Sequence, residues 1–194
     1  MSLTVEKCLQ AWTNSLRQMN AKADIVFFGD SLIYYGDFSS VFPRNVVCNL
    51  GLRGDTIQGM IDRLDQVRML KPKQVYLMAG INDVAYINGC SFGEEYDCLV
   101  GLLLEIVNRE NLFIHSLPPI NDVQFCVSCT NSQIVSCNKV IKEIAQKHSI
   151  HIIDIFSIYV KDGLMPEDLS VDGIHLKSHA YEMWYKELER INSL

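Results

Sequence analysis

Asp24-Ile25-Val26-Phe27-Phe28, followed at once by Gly29-Asp30-Ser31-Leu32, is the stretch from which the fold can be read. Its first five residues are mostly β-branched or aromatic and apolar on both faces, as a strand buried in a parallel sheet requires. Four more runs share that character: Asn45-Val46-Val47-Cys48-Asn49, Gln74-Val75-Tyr76-Leu77-Met78, Asn111-Leu112-Phe113-Ile114-His115 and His151-Ile152-Ile153-Asp154. Amphipathic segments of crossover length separate them, roughly Val5 to Met19, Thr56 to Met69, Glu94 to Asn108, Ser132 to His148 and Lys177 to Ile191. In the second of these, Ile57, Ile61, Leu64 and Val67 form an apolar stripe, Asp55 or Thr56 can cap the start, and Pro72 follows the end. Strands alternating with helices predict an α/β fold: a three-layer α/β/α sandwich around a five-stranded parallel sheet, flavodoxin-like in plan. Ligands of such sheets bind outside the carboxyl ends of the strands, where the strand order reverses.

Whole-chain properties narrow the function. No linker, repeat or charge block divides the 194 residues, so one domain over 1–194 is expected. With 48% hydrophobic and 21% charged residues the core needs no disulfide or metal staple. A formal net charge of -6 argues against a nucleic-acid partner, which would demand a basic face. No apolar run approaches a membrane span, and the first twenty residues do not resemble a signal peptide. The seven cysteines, an odd number, suit reduced thiols and a cytoplasmic location.

The residues after each strand carry the chemistry. Gly29-Asp30-Ser31 puts a serine at the crevice just ahead of a helical segment; a plain helix cap is the simpler reading of that tripeptide alone. Asn49-Leu50-Gly51-Leu52-Arg53-Gly54-Asp55 can turn sharply and leave the Gly54 N–H facing a ligand. No Lys-Ser/Thr pair follows these glycines, which excludes a phosphate-binding P-loop. Gly80-Ile81-Asn82-Asp83 can aim an amide into the same crevice, or simply form an Asx-turn. Val171-Asp172-Gly173-Ile174-His175-Leu176 sets a carboxylate and an imidazole three apart, so that one can orient the other. Each signal has a bland alternative. Together, in this order at one sheet edge, they supply a nucleophile, a base with its orienter, and two further donors for an oxyanion.

These four blocks resemble those of the SGNH (GDSL-type) hydrolase family over nearly the whole chain. The phrasing from Val26 to Ser31 and Asn49 to Asp55, with Lys71-Pro72-Lys73 before the third strand, is most similar to the branch holding platelet-activating-factor acetylhydrolase subunits and bacterial acylhydrolases. The resemblance implies a serine esterase with Ser31 as nucleophile, His175 as general base and Asp172 as its partner. It implies an oxyanion hole made of Ser31, Gly54 and Asn82, and no cofactor or metal. The expected substrate is a small carbohydrate or lipid-headgroup ester with a short acyl group, acetyl first. A thioesterase or lysophospholipase could use the same residues; a non-catalytic flavodoxin-like binding module would not need all five.

Other chemical-looking residues carry less. Cys126-x-x-Cys129 with Cys137 lacks a fourth zinc ligand and the helix-start position of a redox pair. His179 lacks further metal ligands, and the adjacent His115 and Ser116 point to opposite sides of a strand. His148 and His151 sit at a helix–strand junction with no evident chemistry. The loops 84–93 and 117–131 are the expected walls of the substrate pocket.

Overall fold

The computed structural model describes residues 11, 13–15, 21–86, 91–123 and 129–192. The strands are β1 (Ile25–Gly29), β2 (Val47–Gly51), β3 (Gln74–Met78), β4 (Leu112–His115) and β5 (His151–Ile153). All neighbours pair parallel, in the order β2-β1-β3-β4-β5. The chain therefore steps one way from β1 to β2 and the other way to β3. The carboxyl ends of β1 and β3 flank the switch point, the place where open parallel sheets bind ligands.

Register explains how the core is filled. Phe27, Tyr76, Phe113 and His151 are mutual register partners, so their side chains leave the same face of the sheet. Their rings stack in sequence at 4.7, 4.6 and 5.3 Å between centroids, and Phe38 extends the row at 3.9 Å from Phe27. Helix α8 (Ser178–Asn192) lies over that row, with Trp184 edge-on to both Phe38 and His115. On the opposite side, α2 (Ile57–Asp62) packs on α5 (Phe92–Leu104), which packs on α6 (Asn131–His148). The buried stripe Phe92, Tyr96, Leu99, Val100 and Leu103 gives α5 its sheet-facing side. A Thr130–Gln133 capping box starts α6, and left-handed Ser149 ends it.

The strand and long-helix expectations agree with this architecture, although α5 starts two residues early and ends at Leu104 instead of Asn108, and two other elements differ. The second strand runs two residues later than read, through Gly51, because Phe28 and Gly29 of β1 pair with Leu50 and Gly51. The helix expected from Thr56 to Met69 is two, α2 and α3 (Asp65–Leu70), broken at Arg63, which turns inward. Short helices α1 (Ser31–Tyr34), α4 (Ile81–Tyr86) and α7 (Ile155–Tyr159) complete the set. The helix expected over 5–19 falls largely outside the described residues, as does Cys126. Among the described residues no helix is long and apolar enough to cross a membrane.

Candidate active site

Asp30 ends the β1 turn by accepting the Leu32 N–H at 2.9 Å, which fixes the start of α1 and sets Ser31 at its first position. Across the switch point, an antiparallel bridge between Ser170 and Leu176 pinches off the loop that carries Asp172 and His175. Inside it the Val171 N–H and the Ser170 hydroxyl both donate to His175 O, at 2.8 and 3.0 Å. Asp172 Oδ1 accepts the N–H groups of Ile174 and His175, at 3.1 and 2.9 Å. Its other oxygen meets His175 Nδ1 at 2.7 Å, and His175 Nε2 lies 2.9 Å from Ser31 Oγ. An ionised carboxylate can only accept, so Nδ1 carries the proton and Nε2 offers its lone pair to the Ser31 hydroxyl. The pairing comes from a tethered loop and not from a helical turn; α8 begins only at Ser178.

The two remaining expected residues reach the same edge. Gly54 has φ +72, and a β-carbon there would find open space, so the glycine serves the backbone conformation and not a packing need. Asn82 stands in the first turn of α4 and donates from Nδ2 to Asp55 O at 2.8 Å. The Gly54–Asp55 turn and the Asn82 amide are thus one unit. Gly51 has the opposite reason for being glycine: a methyl there would collide with the Tyr34 backbone of α1.

The family model for the GDSL-like lipases and acylhydrolases matches residues 27–183, which contain all five of these residues. The chain belongs to that family. This acylhydrolase, a carboxylic ester hydrolase, also resembles several solved structures. A Streptococcus pneumoniae protein provisionally named a platelet activating factor is 19% identical, with a TM-score of 0.80 over 98% of this chain and 99% of its own. A lipase/acylhydrolase from Enterococcus faecalis is 25% identical, with a TM-score of 0.73 over 86% and 93%. A variant of the Geobacillus stearothermophilus acetyl xylan esterase Axe2 is 20% identical, with a TM-score of 0.69 over 88% and 94%. No curated protein sequence matches the chain.

The acylhydrolase has an open cleft of about 690 Å³ beside His175. Tyr35, Asp37, Arg53, Val171, Tyr181 and Tyr185 are among its walls, so it is built from the segments after β1 and β2, the loop that carries His175, and α8. None of the described residues of 84–93 and 117–131 is among these walls, and the central parts of both segments lie outside the described residues. Residues 84–86 belong to α4, and Asn121 ties its loop inward by donating to Met165 O at 3.0 Å and, through its N–H, to Gly173 O at 2.9 Å. Tyr35 stands edge-on to the His175 ring at 5.7 Å and carries the Arg53 guanidinium over its own ring at 5.7 Å. Sequence reasoning did not reach these residues, because no local pattern marks a tyrosine as facing a histidine 140 positions away.

The remaining polar candidates have structural partners. His148 pairs with Asp97 at 2.7 Å, His151 stacks on Phe113, and His179 is exposed. Ser116 bonds to Asp154, while His115 faces the other way, toward Leu77 O and Trp184. Among the described residues no group of three or more His, Cys, Asp or Glu is placed to hold a metal.

Burial shapes the charges of this acylhydrolase. Partial burial works against the Asp172 carboxylate, but the hydrogen bonds from His175 and Ile174 hold it below its ordinary value. Complete burial pushes Asp30 up from 3.8 to about 7, against the stabilising Leu32 N–H. Burial also pushes His115 down from 6.5 to about 4. These two shifts act on stability in opposite directions. Asp30 has a raised folded pKa, so its contribution is complete below 3.8 and is lost as pH rises to about 7. His115 has a depressed one, so its contribution is complete above 6.5 and is lost as pH falls to about 4. Between pH 4 and pH 7 each swing is worth about 3 kcal/mol, and in the parent they largely offset. Asp30→Asn is therefore expected to gain about 3 kcal/mol relative to the parent between pH 4 and pH 7, and His115→Asn to lose a similar amount. Urea unfolding at both ends of that range reads this; parallel curves for parent and variants would refute it.

Proposed function

We propose that this acylhydrolase cleaves short acyl esters of polar alcohols, acetyl esters first, by nucleophilic attack from Ser31. The observation that carries the reading is the continuous hydrogen-bond chain from Ser31 Oγ through His175 to Asp172, at 2.9 and 2.7 Å, at the switch point of the sheet. His175 Nε2 takes the hydroxyl proton as Ser31 Oγ bonds to the ester carbonyl carbon, and Asp172 stabilises the imidazolium that results. The carbonyl oxygen becomes an oxyanion facing the Ser31 and Gly54 N–H groups and the Asn82 amide. Asn82 has two amide hydrogens; one is committed to Asp55 O, which aims the other. His175 then gives its proton to the leaving alcohol, and a water activated by the same nitrogen releases the acid.

The cleft supports the substrate class. Among the described residues its walls combine charged groups (Asp37, Arg53, Glu182) with tyrosines, which suits a hydroxylated alcohol. Two measurements test the proposal. A fluorophosphonate followed by peptide mass mapping should leave its adduct on Ser31; an adduct on another residue overturns the nucleophile. Across p-nitrophenyl esters, kcat/KM should be highest for acetate and decline with length, and a preference for acyl chains above about eight carbons would overturn the substrate class.

A further inference from the structure

Arg63 is buried, yet it lies outside the hydrogen-bond chain just described. It occupies the break between α2 and α3, and every arm of its guanidinium is used. Nε donates to Asp55 Oδ2 at 2.7 Å, Nη2 to Gly29 O at 3.0 Å and Nη1 to Gln66 Oε1 at 3.3 Å. The group lies over the Phe28 ring, with Cζ 4.4 Å from its centroid. Gly29 O also takes the Leu52 N–H at 3.0 Å, and Asp55 O takes the Asn82 amide at 2.8 Å. One planar cation therefore joins the turn that ends at Ser31, the turn that contains Gly54, and the residue that holds Asn82. These are the three pieces from which the oxyanion donors come.

We propose that Arg63 is a positioning residue for the oxyanion hole, setting the spacing of the Ser31, Gly54 and Asn82 donors through Gly29 and Asp55. The inference rests on the assignment of those donors made above. A requirement for geometry accounts for the residue type. A guanidinium presents its donors in one rigid plane and stacks on an aromatic face, so Asp55, Gly29 and Gln66 are met by a single preorganised group; an ammonium is a compact point charge on a flexible stem and supplies no such plane. An ion pair kept away from water is seldom the most stabilising filling for such a space, and matched apolar substitutes often do as well. What the pair gives here is a fixed relation between two loops whose main-chain pairing past β2 is the Leu52 N–H to Gly29 O bond.

The test separates donor alignment from general loosening. Arg63→Met alone would strand the Asp55 charge, so two other variants are used. Asp55→Asn/Arg63→Met removes both charges, and Arg63→Lys keeps the charge balance but not the fork. Each is compared with the parent on p-nitrophenyl acetate and on the thiono analogue, whose C=S sulfur is a poor acceptor and draws little on the donors. For either variant that retains the parent's near-ultraviolet circular dichroism, kcat on the oxygen ester should fall at least tenfold, by about 10² for the double variant. KM should stay within twofold, and the preference for the oxygen ester over the thiono ester should shrink in proportion. A fall below tenfold in a folded variant overturns the proposal, as does an equal fall on both esters. If neither variant folds, Arg63 is a stability residue and the proposal fails as well. A Ser31→Ala control keeps the two readings apart: hydrolysis surviving in that control would refute the nucleophile, whatever the Arg63 variants do.

Discussion

Ser31→Ala is expected to lower kcat by about 10⁴–10⁶ on p-nitrophenyl acetate while leaving the fold intact. The size follows from the role proposed for the hydroxyl: without a nucleophile no acyl-enzyme would form, and only a water attacking within the aligned site would remain. The intact fold follows from the local hydrogen bonds. Helix α1 is capped by Asp30, not by Ser31, and its second residue is held by Tyr181, whose hydroxyl donates to Leu32 O at 2.8 Å. The Ser31 side chain bonds only to His175 Nε2 among the described residues, and His175 is separately held by Asp172 and by its own pinched loop. Steady-state kinetics with a thermal melt decide the point. A variant within tenfold of the parent sinks the nucleophile assignment, and a collapse of the melt would show that Ser31 has a structural task the hydrogen bonds do not reveal.

The parts of this fold that were legible in the sequence are those governed by short-range periodicity. Buried parallel strands announce themselves because both faces must be apolar, so the runs at Ile25 to Phe28 and Gln74 to Met78 needed no partner to be recognised. Ser31, Gly54 and Asn82 were legible for a related reason: each closely follows a strand, and a parallel sheet brings such positions to one edge; Asp172 and His175, well past the end of β5, were legible from their spacing to each other. Asp55 was harder. Beside Thr56 it reads as a helix cap, but Thr56 alone does that work by accepting the Gly59 N–H, and Asp55 is left to pair with Arg63. Arg63 itself lies one residue before Leu64 in a stripe that reads as an unbroken helix. Its hydrogen bonds to Gly29 O and Asp55 offset the loss of regular helical pairing there, an energetic trade that no window of local sequence contains. The tyrosine walls of the cleft were out of reach for the same reason. Its tyrosines come from the end of α1 and from α8, and only the tertiary fold brings those helices to the histidine.

Asn82→Ala should reduce kcat by about 10²–10³, some 3–4 kcal/mol of transition-state stabilisation, with KM changed by less than threefold. The argument is one of preorganisation. A free asparagine at the surface would spend part of its interaction with the oxyanion on being ordered. Asn82 is half-buried and already tied to Asp55 O at 2.8 Å, so its second hydrogen meets the developing charge without rearrangement. The ground-state ester, whose carbonyl oxygen bears little charge, gains far less from that donor, and this is why kcat and not KM carries the loss. Asn82→Asp sharpens the test. It preserves size but replaces the donor by a carboxylate beside Asp83, whose own carboxyl burial already pushes up from 3.8 to about 6. Once ionised, the introduced carboxylate would repel the oxyanion and forfeit the hydrogen bond to Asp55 O, so near neutral pH the kcat of this variant should lie at or below that of the alanine variant. As pH falls and the new carboxyl protonates, it regains a single O–H donor, and its rate relative to Asn82→Ala should rise. If Asn82→Ala retains kcat within threefold, the oxyanion is stabilised by the backbone donors alone and Asn82 serves only to anchor the Asp55 turn.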